Sequence, residues 1–274
     1  MDVTDEAVLY EKIGTTAVIT LNRPQKRNAL DGAVARGMLD AVAMARDDGA
    51  VRTVVLTGAG GAFCSGADLA DDSSCDDPVF FGRDTVLGHQ RWLSALIELE
   101  KPVIAAVDGP AVGAGFSLAL AADFIFVTPR TRFMASFLSI GLVPDLSMFH
   151  VLPRLVGLAR AKEIVFSARA IGPEESLSIG LAQALAPAEE LMERTLSYAS
   201  QFDNAPPRAL ALAKSLLNRS FETDRATMNQ LEASAQSLCG ASQYHAEAVR
   251  RFLAKEGLAY TGAIPMADED RRGR

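Results

Sequence analysis

The chain has 274 residues, 49% of them apolar and 22% charged, a balance that supports a folded domain with a sizeable core and excludes intrinsic disorder. With 27 Lys and Arg against 34 Asp and Glu, the net charge of −7 repels phosphate backbones, so no nucleic-acid partner is expected. Three cysteines without a CxxC pair, and three histidines (His89, His150, His245) at no metal-ligand spacing, argue against a disulfide framework and a metal site.

The start, Met1 to Glu6, is acidic where a targeting peptide would be basic. The longest weakly polar run, Ala111 to Ala122, is too short to cross a bilayer. A cytoplasmic location and no membrane span are expected. Residues 8–21 read as two strands around Gly14, and the stretch 22–27, broken by proline and charge, reads as a positively charged loop. Asp31 is placed to cap a helix whose apolar residues Val34, Met38, Val42 and Ala45 recur at helical spacing, up to Asp47-Asp48-Gly49. Residues 53–57 predict a buried strand, followed by a glycine-rich stretch over 58–69.

Residues 71–84, acidic and serine-rich with Pro78, predict a surface loop before a helix over 88–99. A strand over 102–107, a turn at Asp108-Gly109-Pro110, a small-residue helix over 113–122 and short strands over 124–127 and 132–135 come next. Beyond Pro144 the chain reads as helical, with breaks at Pro153, Gly157, Gly172-Pro173 and Gly180, up to a hinge at Ala205-Pro206-Pro207. Helical periodicity resumes over 208–254, so residues 1–204 are read as the core and 205–274 as a C-terminal helical region.

Three glycine-rich turns fail as nucleotide motifs. Gly58-x-Gly60 has Phe63 where a dinucleotide fingerprint needs glycine, Gly61-x4-Gly66 is followed by Ala67 rather than Lys, and Gly113-x-Gly115 is followed by Leu118. A strand that ends in small residues and opens a helix still leaves main-chain N–H groups free and aligned with the helix dipole. Two such turns facing each other would form an oxyanion hole.

Three ordered segments carry a resemblance: Asn22-Arg23-Pro24-x-Lys26-Arg27-Asn28-Ala29-Leu30, Phe63-Cys64-Ser65-Gly66-Ala67-Asp68-Leu69, and Lys101 to Gly115. Together they resemble the signatures of the enoyl-CoA hydratase/isomerase (crotonase) family, and the match covers nearly the whole chain. The resemblance implies an α/β fold, a crotonase-like spiral of stacked strand-strand-helix units with a C-terminal helical trimerisation region. It also implies a homotrimer or hexamer and an acyl-CoA substrate, with coenzyme A entering as part of the thioester and no separate cofactor. By position, the amides of Ala67 and Ala114 would bind the thioester oxygen. Lys26 and Arg27 would meet phosphates, and the backbones of Ala29, Ser65, Asp68 and Leu69 would line the adenine and pantetheine path.

Where hydratases resembling this chain carry two glutamates, this sequence has Ser117 and Phe137. An alcohol and a phenyl ring cannot divide between them the deprotonation of water and the protonation of carbon. Asp145, in Gly141-Leu142-Val143-Pro144-Asp145, matches the setting of the catalytic aspartate in isomerases resembling those of the phenylacetate pathway, and one carboxylate suffices to move a proton along a dienolate. Enoyl-CoA isomerisation with Asp145 as base is therefore the expected activity. Among Phe137, Leu142 and Met148 its pKa should lie above the ordinary value; as a plain alternative, Asp145 would merely cap the helix after Pro144. Other readings stay open: a hydratase with a modified acid/base set, an aryl-CoA dehalogenase-like enzyme in which His89, read as a solvated residue ahead of a helix, would activate water, a thioester hydrolase using Ser117 in Gly115-Phe116-Ser117-Leu118-Ala119 with His150 or His245, and a catalytically silent acyl-CoA-binding protein.

Overall fold

The computed structural model describes residues 6–70 and 78–262. The N-terminal pentapeptide, Cys75 and the first part of the expected 71–84 loop lie outside the described residues.

In chain order the elements are β1 (Val8–Ile13), β2 (Thr16–Leu21), α1 (Gly32–Asp47), β3 (Thr53–Gly58), α2 (Pro78–Ile97), β4 (Val103–Val107), β5 (Pro110–Val112), α3 (Ala114–Leu120), β6 (Phe124–Val127), β7 (Arg132–Met134), α4 (Met148–Val156), α5 (Leu158–Ser167), β8 (Ala170–Ile171), α6 (Pro173–Ser178), β9 (Ala184–Leu185), α7 (Leu191–Ser200), α8 (Pro207–Asn218), α9 (Arg225–Gly240) and α10 (Gln243–Leu253). Six strands form one sheet in the order β1-β2-β3-β4-β6-β9, antiparallel only between β1 and β2, with β1 and β9 at its edges. The three strands β5-β7-β8 make a second layer, which the parallel bridges Leu30 to Ala67 and Cys64 to Ala111 extend. The chain thus places a strand in the main sheet, a shorter extended segment in the second layer and then a helix, and repeats this from β2 to α4. These are the stacked strand-strand-helix turns the sequence led us to expect.

The main sheet is covered on both faces, which is why its strands read as unbroken apolar runs. On one face Ala17, Ile19, Leu21, Val54, Leu56, Ala105 and Val107 join the core with Val34, Met38 and Val42 of α1 and Trp92, Leu93 and Leu96 of α2. On the other, Val18, Val55, Ile104, Ala106 and Phe126 pack against Tyr198 and Ala199 of α7 and Phe202. The period-two alternation along each strand assigns neighbours to opposite faces. Each of the larger fully buried side chains contributes about 2 kcal/mol of hydrophobic stabilisation before entropy is counted. Asp31 caps α1 as expected, accepting from the Val34 amide at 2.8 Å.

Four expectations are corrected. The second helix begins at Pro78 rather than Gly88, so the described part of the expected loop is helical. His89, expected to be solvated, is half-buried in α2, where its Nδ1 accepts from Trp92 Nε1 at 3.3 Å, and burial lowers its pKa. Pro153 does not break the chain but sits within α4, where burial of Met148 and Leu152 outweighs the single hydrogen bond that proline forfeits. The short strands β5, β8 and β9 went unpredicted. In the C-terminal region, α9 and α10 bury no residue, and Leu238, Phe252 and Leu253 stand open to solvent.

Candidate active site

Two glycine turns approach each other where the second layer meets α3. The Leu30 amide donates to the Gly66 carbonyl and the Asp68 amide to the Leu30 carbonyl, at 2.8 and 2.9 Å. Ala67, lying between these two ladder bonds, turns its own N–H the other way, and it is an exposed residue. On the facing turn the Gly113 amide is held by the Met134 carbonyl at 2.8 Å. Gly113 itself takes φ 54°, ψ −123°, a conformation that favours glycine, and so aims the next amide, Ala114, as the first of α3. Among the described residues neither the Ala67 nor the Ala114 amide has an acceptor.

Close main-chain contact brings the turns together. A Cβ on Gly66 would stand 2.9 Å from the Val112 carbonyl oxygen and 3.6 Å from the Ala114 nitrogen, and one on Gly115 would stand 2.2 Å from the Cys64 oxygen. Only glycine permits this approach, and the α3 backbone is wedged against residue 64 by it. Cys64 is no nucleophile here: burial pushes its thiol up to about 12.

Phe137 closes one side, its ring tip 3.9 Å from where a Cβ on Gly113 would be. Ser117 is buried inside α3, and its Oγ donates to the Asp145 main-chain carbonyl at 3.0 Å. Asp145 does not cap α4. The residue ahead of that helix is Ser147, and only the main-chain oxygen of Asp145 receives the Met148 amide, at 3.1 Å. The carboxylate oxygen Oδ1 is buried without a hydrogen-bond partner among the described residues. Burial pushes this carboxyl from 3.8 up to about 6, opposed only by a bond from its own amide. Two free amides can hold a developing oxyanion, and a carboxylate on the segment that α3 grips through Ser117 is of the type that removes a neighbouring proton.

Of the other positions picked from sequence, Lys26 and Arg27 present exposed side chains without a hydrogen-bonded partner among the described residues, beside the Ser65 to Leu69 segment. The Ser65 and Asp68 amides are used inside the fold, by the Arg27 and Leu30 carbonyls. The Leu69 side chain is exposed. The Asp68 carboxylate is tied to Arg23 at 2.9 Å, which holds it below the usual carboxylate range. That guanidinium also reaches Asp31 at 3.1 Å and the Ala29 carbonyl at 2.7 Å. Arg23 and Asn28 are structural parts of the site that went unassigned. Asn28 is fully buried with φ 58° and donates to the Ala59 and Ala62 carbonyls at 2.8 and 2.7 Å. The available sequence signal was the residue type, an Asn in the turn after Pro24, since Asn tolerates left-handed φ.

His150 is exposed beside Glu222, and His245 is exposed on α10; Ser117 spends its proton on a carbonyl, not on either of them. A cavity of about 470 Å³ lies elsewhere, between α4 and α8, lined by Leu120, Phe124, Phe202, Leu210 and Phe221. Among the described residues no cluster of His, Cys, Asp and Glu could hold a metal ion, and no helix is long and apolar enough to cross a membrane.

Residues 11–263 match the family model described as enoyl-CoA hydratase/isomerase. A probable enoyl-CoA hydratase of Rhodobacter capsulatus is 37% identical over 257 residues, covering 93% of this chain and 98% of that protein. The 1,2-epoxyphenylacetyl-CoA isomerase of Escherichia coli is 32% identical, covering 89% and 94%. The crystal structure of an enoyl-CoA hydratase/isomerase from Cupriavidus metallidurans superposes with a TM-score of 0.88 at 36% identity, covering 96% of this chain and 99% of that one.

Proposed function

Because the chain belongs to the enoyl-CoA hydratase/isomerase family, and is an enzyme acting on acyl-CoA thioesters, we propose that its reaction is the migration of a carbon–carbon double bond, with Asp145 as the base that moves the proton. The observations that carry this reading are two amides, Ala67 and Ala114, and a buried carboxylate oxygen, Asp145 Oδ1, none of which has a hydrogen-bond partner among the described residues.

In this mechanism the thioester oxygen accepts from both amides. Asp145 takes a proton from the α-carbon of a 3-enoyl-CoA, the electron pair moves onto the thioester oxygen as a dienolate, and the same carboxyl returns the proton to the γ-carbon. Each amide lowers the enolate-forming barrier by about 3 kcal/mol, since the charge develops where donors are already aimed. A pKa near 6 leaves Asp145 ionised at neutral pH and a stronger base than an ordinary aspartate. Phe137 fills space where water would otherwise be activated, and Ser117 donates to the main chain, so neither serves as a second acid. Lys26 and Arg27 meet the CoA phosphates in this reading, with the Ala29, Ser65, Asp68 and Leu69 backbones along the nucleotide. No separate cofactor takes part, and the open apolar side chains of α9 and α10 support assembly into trimers or hexamers.

Hydration is the second reading, supported by relatives named mostly as hydratases. Assays of the protein and of Asp145→Asn on 3-enoyl-CoA and 2-enoyl-CoA panels separate the two. Isomerisation is expected to dominate, with an acid limb in kcat near pH 6, and to fall about a thousandfold in the variant. Unchanged isomerisation by the variant removes Asp145 from the mechanism, and hydration outpacing isomerisation in the parent favours the second reading.

A further inference from the structure

The main chain and the side chain of Asp145 have opposite fates. The carbonyl accepts twice, from Ser117 Oγ at 3.0 Å and from the Met148 amide at 3.1 Å, while carboxylate Oδ1 has no hydrogen-bond partner among the described residues. The two residues that follow, Leu146 and Ser147, take φ of 47° and 65°, consecutive left-handed positions at residues other than glycine. Such a pair is unfavourable and persists only where its surroundings hold it. Leu146 and Met148, each almost fully buried, fix the segment from the C-terminal side. From the helix side the hydrogen-bonded anchor is Ser117.

Ser117 stands three residues after Ala114 on α3, so the two share one helix face. The α3 backbone cannot shift easily, because Gly115 lies against the Cys64 carbonyl with no room for a Cβ. One short wedged helix therefore carries both the amide that receives the oxyanion and the hydroxyl that grips the base-bearing segment.

Resting on the reading of Asp145 as base, we propose that Ser117 is a positioning residue, which sets the distance between the Asp145 carboxylate and the Ala114 amide by holding the Asp145 carbonyl. Its hydroxyl acts on the reaction without touching the substrate.

Ser117→Ala removes the donor; Ser117→Cys keeps nearly the volume but offers a weak one. Both are compared with Asp145→Asn on a 3-enoyl-CoA, with melting curves to establish that each variant is folded. Both serine variants are expected to lose about tenfold to hundredfold in kcat, with KM within about twofold. Their acid limb should move below pH 6, because a loosened carboxylate meets more water. A Cys variant with the parent's kcat, or an Ala variant with parental kcat and acid limb, overturns the positioning role while leaving Asp145 as base. An Asp145→Asn variant that isomerises at the parental rate overturns the underlying assignment instead.

Discussion

Asp145→Asn makes a prediction about stability that is independent of any substrate. Burial lifts the carboxyl from 3.8 to about 6, so the folded chain binds this proton more tightly than the unfolded one. Between those two values the unfolded state releases the proton first, and stability falls as pH rises, reaching its full loss above about pH 6. A span of about two pH units corresponds to about 3 kcal/mol. Asp145 is partly open to solvent, so roughly half of that, about 1.5 kcal/mol, is the expected effect. Asparagine keeps the shape and removes the charge. In differential scanning calorimetry at pH 8 the variant should melt about 4 °C above the parent, and the gap should shrink steadily as the pH drops below 6. A gap that is the same at pH 8 and pH 4.5, or a variant that melts below its parent at pH 8, refutes the claim that partial burial of this charge costs the fold stability.

Two further outcomes test the frame around the base. Ala114→Pro removes one amide at the first position of α3, where proline is tolerated, so kcat should fall by about 10² to 10³ while far-UV circular dichroism is retained; parental kcat would take the Ala114 amide out of the site. Arg23→Met strips three contacts at once and leaves Asp31 and Asp68 without their cation, which should cost about 2–3 kcal/mol. A urea midpoint equal to the parent's would show that the clamp is not structural.

Much of the fold was legible because its signals are local. The first long helix is announced by Asp31 and by Val34, Met38, Val42 and Ala45, and the sheet by apolar runs that are buried on both faces. The early start of α2 was not, since Gly82 and Gly88 weaken the helical signal and Arg83, Asp84 and Thr85 are exposed, leaving no apolar stripe to read. Strands β8 and β9 hold two residues each, too few to show any period. At the site, the glycine turns and Asp145 stood out by residue type. The bond from Ser117 to the Asp145 carbonyl spans 28 positions, and the Arg23 link to Asp68 spans 45, so no window of sequence contains either.

The borders of the six-stranded sheet decide how copies of this molecule can meet. One border is β1, whose outer half presents exposed Glu11 and Lys12, and the other is β9, only two residues long. A charged rim and a stub both discourage strand addition from a neighbouring chain. Strand addition from another chain is thereby disfavoured at both borders of the main sheet, and with it edge-to-edge aggregation.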